Sequence, residues 1–215
     1  VTTTRVPQEE RTRLMRERLL TACVELLIER GWSGTSTTLV SQRAGVSRGA
    51  QLHHFPSKAA LVMAAVEWLA ERRREELAAL ADGLPRGRGR TRAVVQALGD
   101  HFSGEVFTAA LELWVAARTD AELLGVLGPF EQRIGRETHR VAVDLLGVDE
   151  TVPGARELIQ ATLDLVRGLG LANTISDDTA RRRRILNRWA DQLDEALGLR
   201  APGAAPRPDR KETPR

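Results

Sequence analysis

The sequence predicts an all-α protein, and three observations carry that prediction. Apolar residues recur at three- and four-residue spacing over most of the 215 residues. No stretch alternates apolar and polar side chains long enough to make a strand. Glycine and proline fall where such helices would end. The reading is of about nine helices. A small N-terminal group of three occupies residues 7–56. A long helix joins it to a larger helical domain over 57–199, and a tail follows over 200–215.

The first helix runs from Pro7 to about Arg30. Met15, Leu19, Cys23 and Leu26 share one face, with Leu20 and Leu27 beside them. Gly31 ends it, as a glycine past a helix C-terminus does, and Trp32 folds back onto the core. Thr35 and Ser36 are N-cap candidates for a short helix ending near Ala44. Gly45 breaks that helix. Ser47 caps a second short one that ends at His54.

Pro56 and Ser57 open the long helix, with Leu61, Ala65, Trp68 and Leu69 along one face. Its outer face spaces Glu71–Arg74, Arg72–Glu75 and Arg72–Glu76 for ion pairs. Asp82–Arg90 reads as a Gly/Pro linker. Helical periodicity returns at Thr91–Phe102, Glu105–Arg118, Asp120–Leu146, Pro153–Ile175 and Asp178–Leu197. Pro153 suits a first helical turn, and Ser176 suits a cap. The tail, "APGAAPRPDRKETPR", has almost nothing to bury and is expected to be disordered.

Composition narrows the function classes. No apolar run reaches the length of a membrane span. No secretory signal is visible, and a single cysteine, Cys23, cannot form an internal disulfide. A cytoplasmic protein without membrane contact is expected. The net charge of +3 is uneven: +4 over residues 1–60, −3 over 61–200 and +2 over 201–215. A local basic excess suits a polyanion partner at the N-terminal end only. There is no nucleophile–base pair, no paired carboxylate spacing and no metal spacing, so no catalytic residue, metal or cofactor is expected. His53 and His54 point about 100° apart on one helix and cannot chelate together.

The stretch "AGVSRGAQLHHFPSKAALV" places polar residues on a short helix between apolar anchors. Two short helices joined by Gly45-Val46 have the helix-turn-helix layout. Val40, Ala44, Val46 and Ala50 turn inward. Arg48, Gly49, Gln51, Leu52 and His53 are expected on or near the outer surface. That set suits a DNA major groove: Arg can pair with guanine, Gln with adenine, and Leu52 can meet a thymine methyl. Thr37, Thr38, Ser47 and Lys58 suit phosphates.

The same residues, "AGVSRGAQLHHFPSKAAL", resemble the end of the DNA-binding domain of the TetR (tetracycline-repressor-like) regulators. The resemblance covers about residues 10–62. It implies that Ser47, Arg48, Gly49, Leu52, His53, His54 and Lys58 occupy DNA-contacting positions. It also implies an effector pocket somewhere in the larger domain, without placing it. The chain departs from the family pattern at Gln51-Leu52, where an apolar residue and a tyrosine are usual. It departs again at Thr37-Thr38-Leu39-Val40, which lacks the acidic member of a capping box.

In the larger domain Trp68, His101, Phe102, Phe107, Leu111, Trp114, Leu127 and His139 are the candidates for a pocket that takes a small apolar effector. The competing reading of each aromatic is plain core. Leu158, Leu165, Leu169, Ile185, Trp189 and Leu193, on the last two helices, are the candidate homodimer interface. "RRRR" (Arg181–Arg184) reads as a solvated face, and Cys23 as a buried thiol. The expected function is a homodimeric regulator, a repressor by preference. It binds palindromic double-stranded operator DNA and is released by a small effector. The alternative is a DNA-binding regulator without a ligand.

Overall fold

A computed structural model of the chain describes residues 8–87 and 89–199. Pro7 and the tail over 200–215 lie outside the described residues, as does the side chain of Glu76. Among the described residues nine helices form and no strand does.

Helix α1 (Gln8–Gly34) buries Leu19, Leu20, Cys23, Leu26 and Leu27 on the stripe that the spacing predicts. Gly31 breaks it at φ 63°, and one further turn carries it to Gly34. An alanine at Gly31 would meet that φ and also the Glu112 carboxylate, 2.7 Å from its Cβ. Cys23 is fully buried, and burial pushes its thiol pKa up to about 12.

Helix α2 (Thr37–Ala44) starts at Ser36, whose hydroxyl accepts from the Leu39 amide at 3.2 Å. Thr35 does not cap; it is buried and its hydroxyl donates to the Gly31 carbonyl at 2.8 Å. Helix α3 (Arg48–His54) starts at Ser47, which accepts from the Ala50 amide at 3.2 Å. Helix α4 (Lys58–Gly83) has Ser57 accepting from the Ala60 amide at 3.0 Å. On its outer face Glu71 and Arg74 pair, while Arg72 lies 4.9 Å over the Trp68 ring.

The remaining helices are α5 (Arg90–His101), α6 (Glu105–Ala117), α7 (Ala121–Leu146), α8 (Ala155–Asn173) and α9 (Thr179–Ala196). Two expected starts are corrected. Pro153 precedes α8, because Gly154 at φ 84° takes the cap position. Ser176 does not cap α9; Asp178 stands there, and the Thr179 amide donates to Asp177 at 3.1 Å.

Apolar burial forms two clusters. One joins α1, α2 and α4 to Ala109, Leu113 and Ala117 of α6 and to Leu123, Leu127 and Phe130 of α7. The other fills the space among α5, α8, α9 and the second half of α7. Trp114 packs against both. The first cluster runs without a break across residue 57, so the three-helix unit shares its core with α6 and α7. Polar side chains stitch α9 to α5: Arg92 pairs with Asp191 at 2.8 Å, and Gln96 donates to Asn187 at 3.0 Å. Within the arginine run the expected solvated face holds for three members only. Arg182 turns inward and pairs with Asp100 at 3.0 Å.

Candidate functional site

The turn between α2 and α3 is held from beneath. The Val46 amide donates to the Ser41 carbonyl at 3.0 Å, and Gly45 takes φ 62°. Arg18 of α1 donates to the Ala44 carbonyl and, at 3.3 Å, to that of Gly45. A Cβ at Gly45 would lie 2.8 Å from that guanidinium. Arg43 anchors α2 to α1 through two bonds to Glu29, at 2.6 and 2.8 Å. The two short helices are therefore fixed to α1 by charge as well as by Val40 and Ala44.

This seating leaves one face of α3 free. Ser47, Arg48, Gly49, Leu52 and His53 are exposed, as is Thr38 on α2; Thr37 and His54 are half-buried. Leu52 is 43% exposed. Gly49 has open space where a Cβ would be, so nothing within the chain requires glycine there. The His53 and His54 rings meet edge to face with centroids 5.4 Å apart.

Two expected DNA contacts sit elsewhere. Gln51 is fully buried, not on the outer surface. Its Nε2 donates to the Phe55 carbonyl at 2.8 Å, satisfying an acceptor that the end of α3 leaves without an intrahelical partner. Lys58 also turns inward. Its ammonium donates to the Trp32 carbonyl at 2.5 Å and lies 3.9 Å over the Trp32 ring. Burial lowers its pKa, against a smaller upward pull from Asp120. A half-buried ammonium committed to backbone and ring is a strut between α4 and the end of α1, not a free phosphate ligand.

Behind the helix-turn-helix lies a cavity of about 550 Å³. Val24 and Leu27 of α1 and Val66 and Leu69 of α4 form one wall. His101, Phe102, Phe107 and Trp114 form another, and Phe130, Glu131 and Ile134 of α7 with Arg167 of α8 close it. Ion pairs edge the opening: Arg133–Glu67 at 3.0 Å and Arg74–Glu137 at 3.5 Å.

Four of the eight expected pocket residues line this cavity: His101, Phe102, Phe107 and Trp114. The other four do not. Leu127 is spent in the first core, Leu111 packs on the second, and Trp68 carries Arg72. His139 pairs with Glu150 at 2.7 Å and lines a neighbouring, more open groove that shares Gly135 and Arg167 with the cavity. Sequence reasoning missed Val24, Leu27, Glu131 and Arg167. Glu131 did leave a trace: it stands four residues after Leu127 and three before Ile134, an acid at a core spacing.

Of the expected dimer residues, Leu169 and Leu193 are buried within the chain's own second core and are not free for a partner. Leu158, Leu165, Ile185 and Trp189 are half-buried against it. The Trp189 indole donates to Thr162 at 2.9 Å. Leu171 in the last turn of α8 and Ile175 just beyond it are 54% and 91% exposed.

Among the described residues no helix is long and apolar enough to cross a membrane, and no group of three His, Cys, Asp or Glu could hold a metal. Residues 19–65 match the family model of bacterial regulatory proteins of the tetR family. The HTH-type transcriptional regulator CymR of Pseudomonas putida is 31% identical over 185 residues, which is 84% of this chain and 89% of that protein. The crystal structure of a transcriptional regulator from Rhodococcus sp. Rha1 superposes with a TM-score of 0.64 at 24% identity, over 84% of this chain and 96% of that one. The multidrug binding protein EbrR, complexed with imidazole, superposes at 0.56 and 23%, over 81% and 93%. The chain belongs to the tetR family of bacterial regulatory proteins, DNA-binding transcriptional regulators rather than enzymes.

Proposed function

We propose that the protein is a homodimeric repressor that holds a palindromic operator and releases it when a small molecule with a largely apolar body fills the cavity. The observation that carries this reading is a shared wall. Val24 and Leu27 line the cavity from α1, the helix on which Arg18 and Glu29 seat α2 and α3. An occupant therefore touches the element that sets where the exposed face of α3 points. The exposed set of Arg48, Gly49, Leu52 and His53, with Thr38 and Ser47 beside it, is the DNA-reading surface in this proposal.

The mechanism is linkage. A ligand shifts the balance between two arrangements only by its difference in affinity for them. Two copies read a palindrome when their α3 helices stand about 34 Å apart, one turn of duplex. A ligand that spreads α1 from α4 or α6 changes that spacing and favours the released form. The last two helices supply the second copy, through the half-buried Leu158, Leu165, Ile185 and Trp189. A regulator without a ligand would have a filled middle domain, and the cavity of about 550 Å³ favours the ligand-responsive reading. EbrR's imidazole supports it further, as a small molecule held by a protein of this fold.

The test is fluorescence anisotropy with duplex from the chain's own upstream region. Binding of two chains per duplex is expected, with release on addition of a compound shown by calorimetry to fill the cavity. A compound that saturates the protein and leaves operator affinity unchanged defeats the proposal.

A further inference from the structure

The cavity wall holds a carboxylate that forms no salt bridge among the described residues, although Arg167 attracts it from farther off. Glu131 is half-buried on α7. The basic groups around the cavity are engaged elsewhere: Arg74 with Glu71 and Glu137, Arg133 with Glu67, Arg167 with Asp164 at 2.5 Å. Once those pairs are formed, Glu131 is the acid left over. An unpaired carboxylate away from water is costly, and its natural remedy is a positive partner.

The rings around it are placed for such a partner. Phe102 and Phe107 stand at 87° with centroids 5.5 Å apart, and Phe107 and Trp114 at 82° and 5.9 Å. Successive perpendicular rings give the cavity walls that face different directions. A cation is attracted to the negative face of each ring it meets. Two lining rings already show this with the chain's own guanidinium groups: Arg167 lies 5.5 Å over Phe102 and Arg133 lies 5.4 Å over Phe130. The Trp114 Nε1–H is buried and meets no acceptor in hydrogen-bond geometry, yet it lies near enough to the Glu131 carboxylate to favour the charged form.

We propose that the cavity takes a monovalent organic cation with an apolar body, its charge set against Glu131 and its body among Phe102, Phe107, Phe130 and Trp114. This rests on the reading of the cavity as an effector site and narrows the effector to one chemical class. An organic anion of the same size would meet Glu131 as a like charge, and a neutral molecule would leave it without a salt bridge.

Acid should weaken such binding. Burial raises the Glu131 pKa, opposed by Trp114 and Arg167, so a cation that needs the carboxylate must displace its proton as pH falls. The charged and titratable groups that line the cavity with Glu131 are Glu67, Glu71 and Arg74 from α4, His101 from α5, Arg133 and Glu137 of α7 and Arg167 from α8, with the Trp114 indole from α6. His101 is not free, since it has an interaction of its own. A Glu131→Gln control separates any titration of His101 from that of Glu131.

The experiment is isothermal titration of the full chain, without DNA, with three probes. They are benzyltrimethylammonium, the neutral neopentylbenzene of the same shape, and 4-tert-butylbenzoate. The cation is expected to bind tightest, and Glu131→Gln to weaken it by about tenfold. The variant should leave the neutral probe unchanged, which also reports that the fold is intact. Cation affinity should fall with acid in the native chain and not in the variant. Tighter binding of the anion or the neutral probe overturns the proposal. So does failure of all three to bind, or a cation affinity indifferent to Glu131→Gln. Cation binding without operator release would sink the effector reading and leave this inference standing. Operator release by a neutral or anionic compound would do the reverse.

Discussion

Gln51 Nε2 donates to the Phe55 carbonyl at 2.8 Å, from a side chain with no solvent exposure. The amide of a supposed base-reader thus closes the end of α3 from inside. Its Oε1 is buried without a partner, so the residue carries a polar cost along with its bond. Gln51→Ala removes that bond, strands the Phe55 carbonyl and opens a small void. A loss of about 2 kcal/mol of stability is expected. Thermal melts measure it. Selection from random duplex by the folded variant should recover the native site, and a change at one base position would return Gln51 to the reading surface.

Arg48 stands on the exposed side of the same helix, just after its Ser47 cap. A bidentate arginine–guanine contact contributes about 1–3 kcal/mol of discrimination. Arg48→Ala should therefore relax preference at one position of each half-site and leave the melting temperature nearly unchanged. Competition between the native duplex and single-base variants reads this directly. An Arg48→Ala protein that binds all duplexes more weakly by one factor would make the contact a phosphate contact instead.

These two neighbours show what the sequence displayed and what it withheld. The helices were legible because their signals are local: Ser36 and Ser47 cap, Gly31 and Gly45 take positive φ, and the apolar stripe of α1 repeats at helical spacing. Which way a residue on a seven-residue helix points is not local. α3 has less than two full turns, and its rotation is set by where Arg18 and α2 hold it. Polarity suggested that Gln51 faced outward; the carbonyl at Phe55 gave it a reason to face inward. The cavity divides in the same way. Phe102, Phe107 and Trp114 were visible as aromatics in the middle helices, but Val24 and Leu27 look like any α1 core residue until α6 and α7 are laid beside them. Lys58 and Leu169 were assigned outward by pattern and are held inward by partners far away in the chain.

Gly170 lies where α8 crosses the end of α5. A Cβ there would sit 1.7 Å from the Phe102 carbonyl oxygen and 2.9 Å from the Phe107 ring. The nearest atom is backbone, so no rotamer relieves the clash, and α8 must move away from the cavity wall. Gly170→Ala should cost about 3 kcal/mol or more. Gly168, two residues earlier on the same helix, has nothing within 4 Å of its Cβ position. Gly168→Ala should stabilise by about 0.5–1 kcal/mol, the ordinary helix preference for alanine. Denaturant titration of the pair carries its own control for helix propensity. Equal effects of the two substitutions would mean that α8 does not pack this closely on Phe102.

Glu131 should make the protein less stable as pH rises. Burial lifts its folded pKa above the ordinary 4.5, with Trp114 and Arg167 pulling it partly back. Between the unfolded and folded values the native state holds more protons than the unfolded state, so stability falls with rising pH across that window. Above the folded pKa the full cost of the charged, half-buried carboxylate is present; below 4.5 both states are protonated and the cost is gone. Glu131→Gln carries no such charge. The variant should therefore melt higher than the native chain at pH 7, and the gap should close as pH drops through the window. Adding a saturating organic cation at pH 7 should raise the native melting temperature more than that of the variant, because only the native chain has a carboxylate to neutralise. A variant that melts lower than the native chain at pH 7 would show that Glu131 already has a favourable partner in the empty protein.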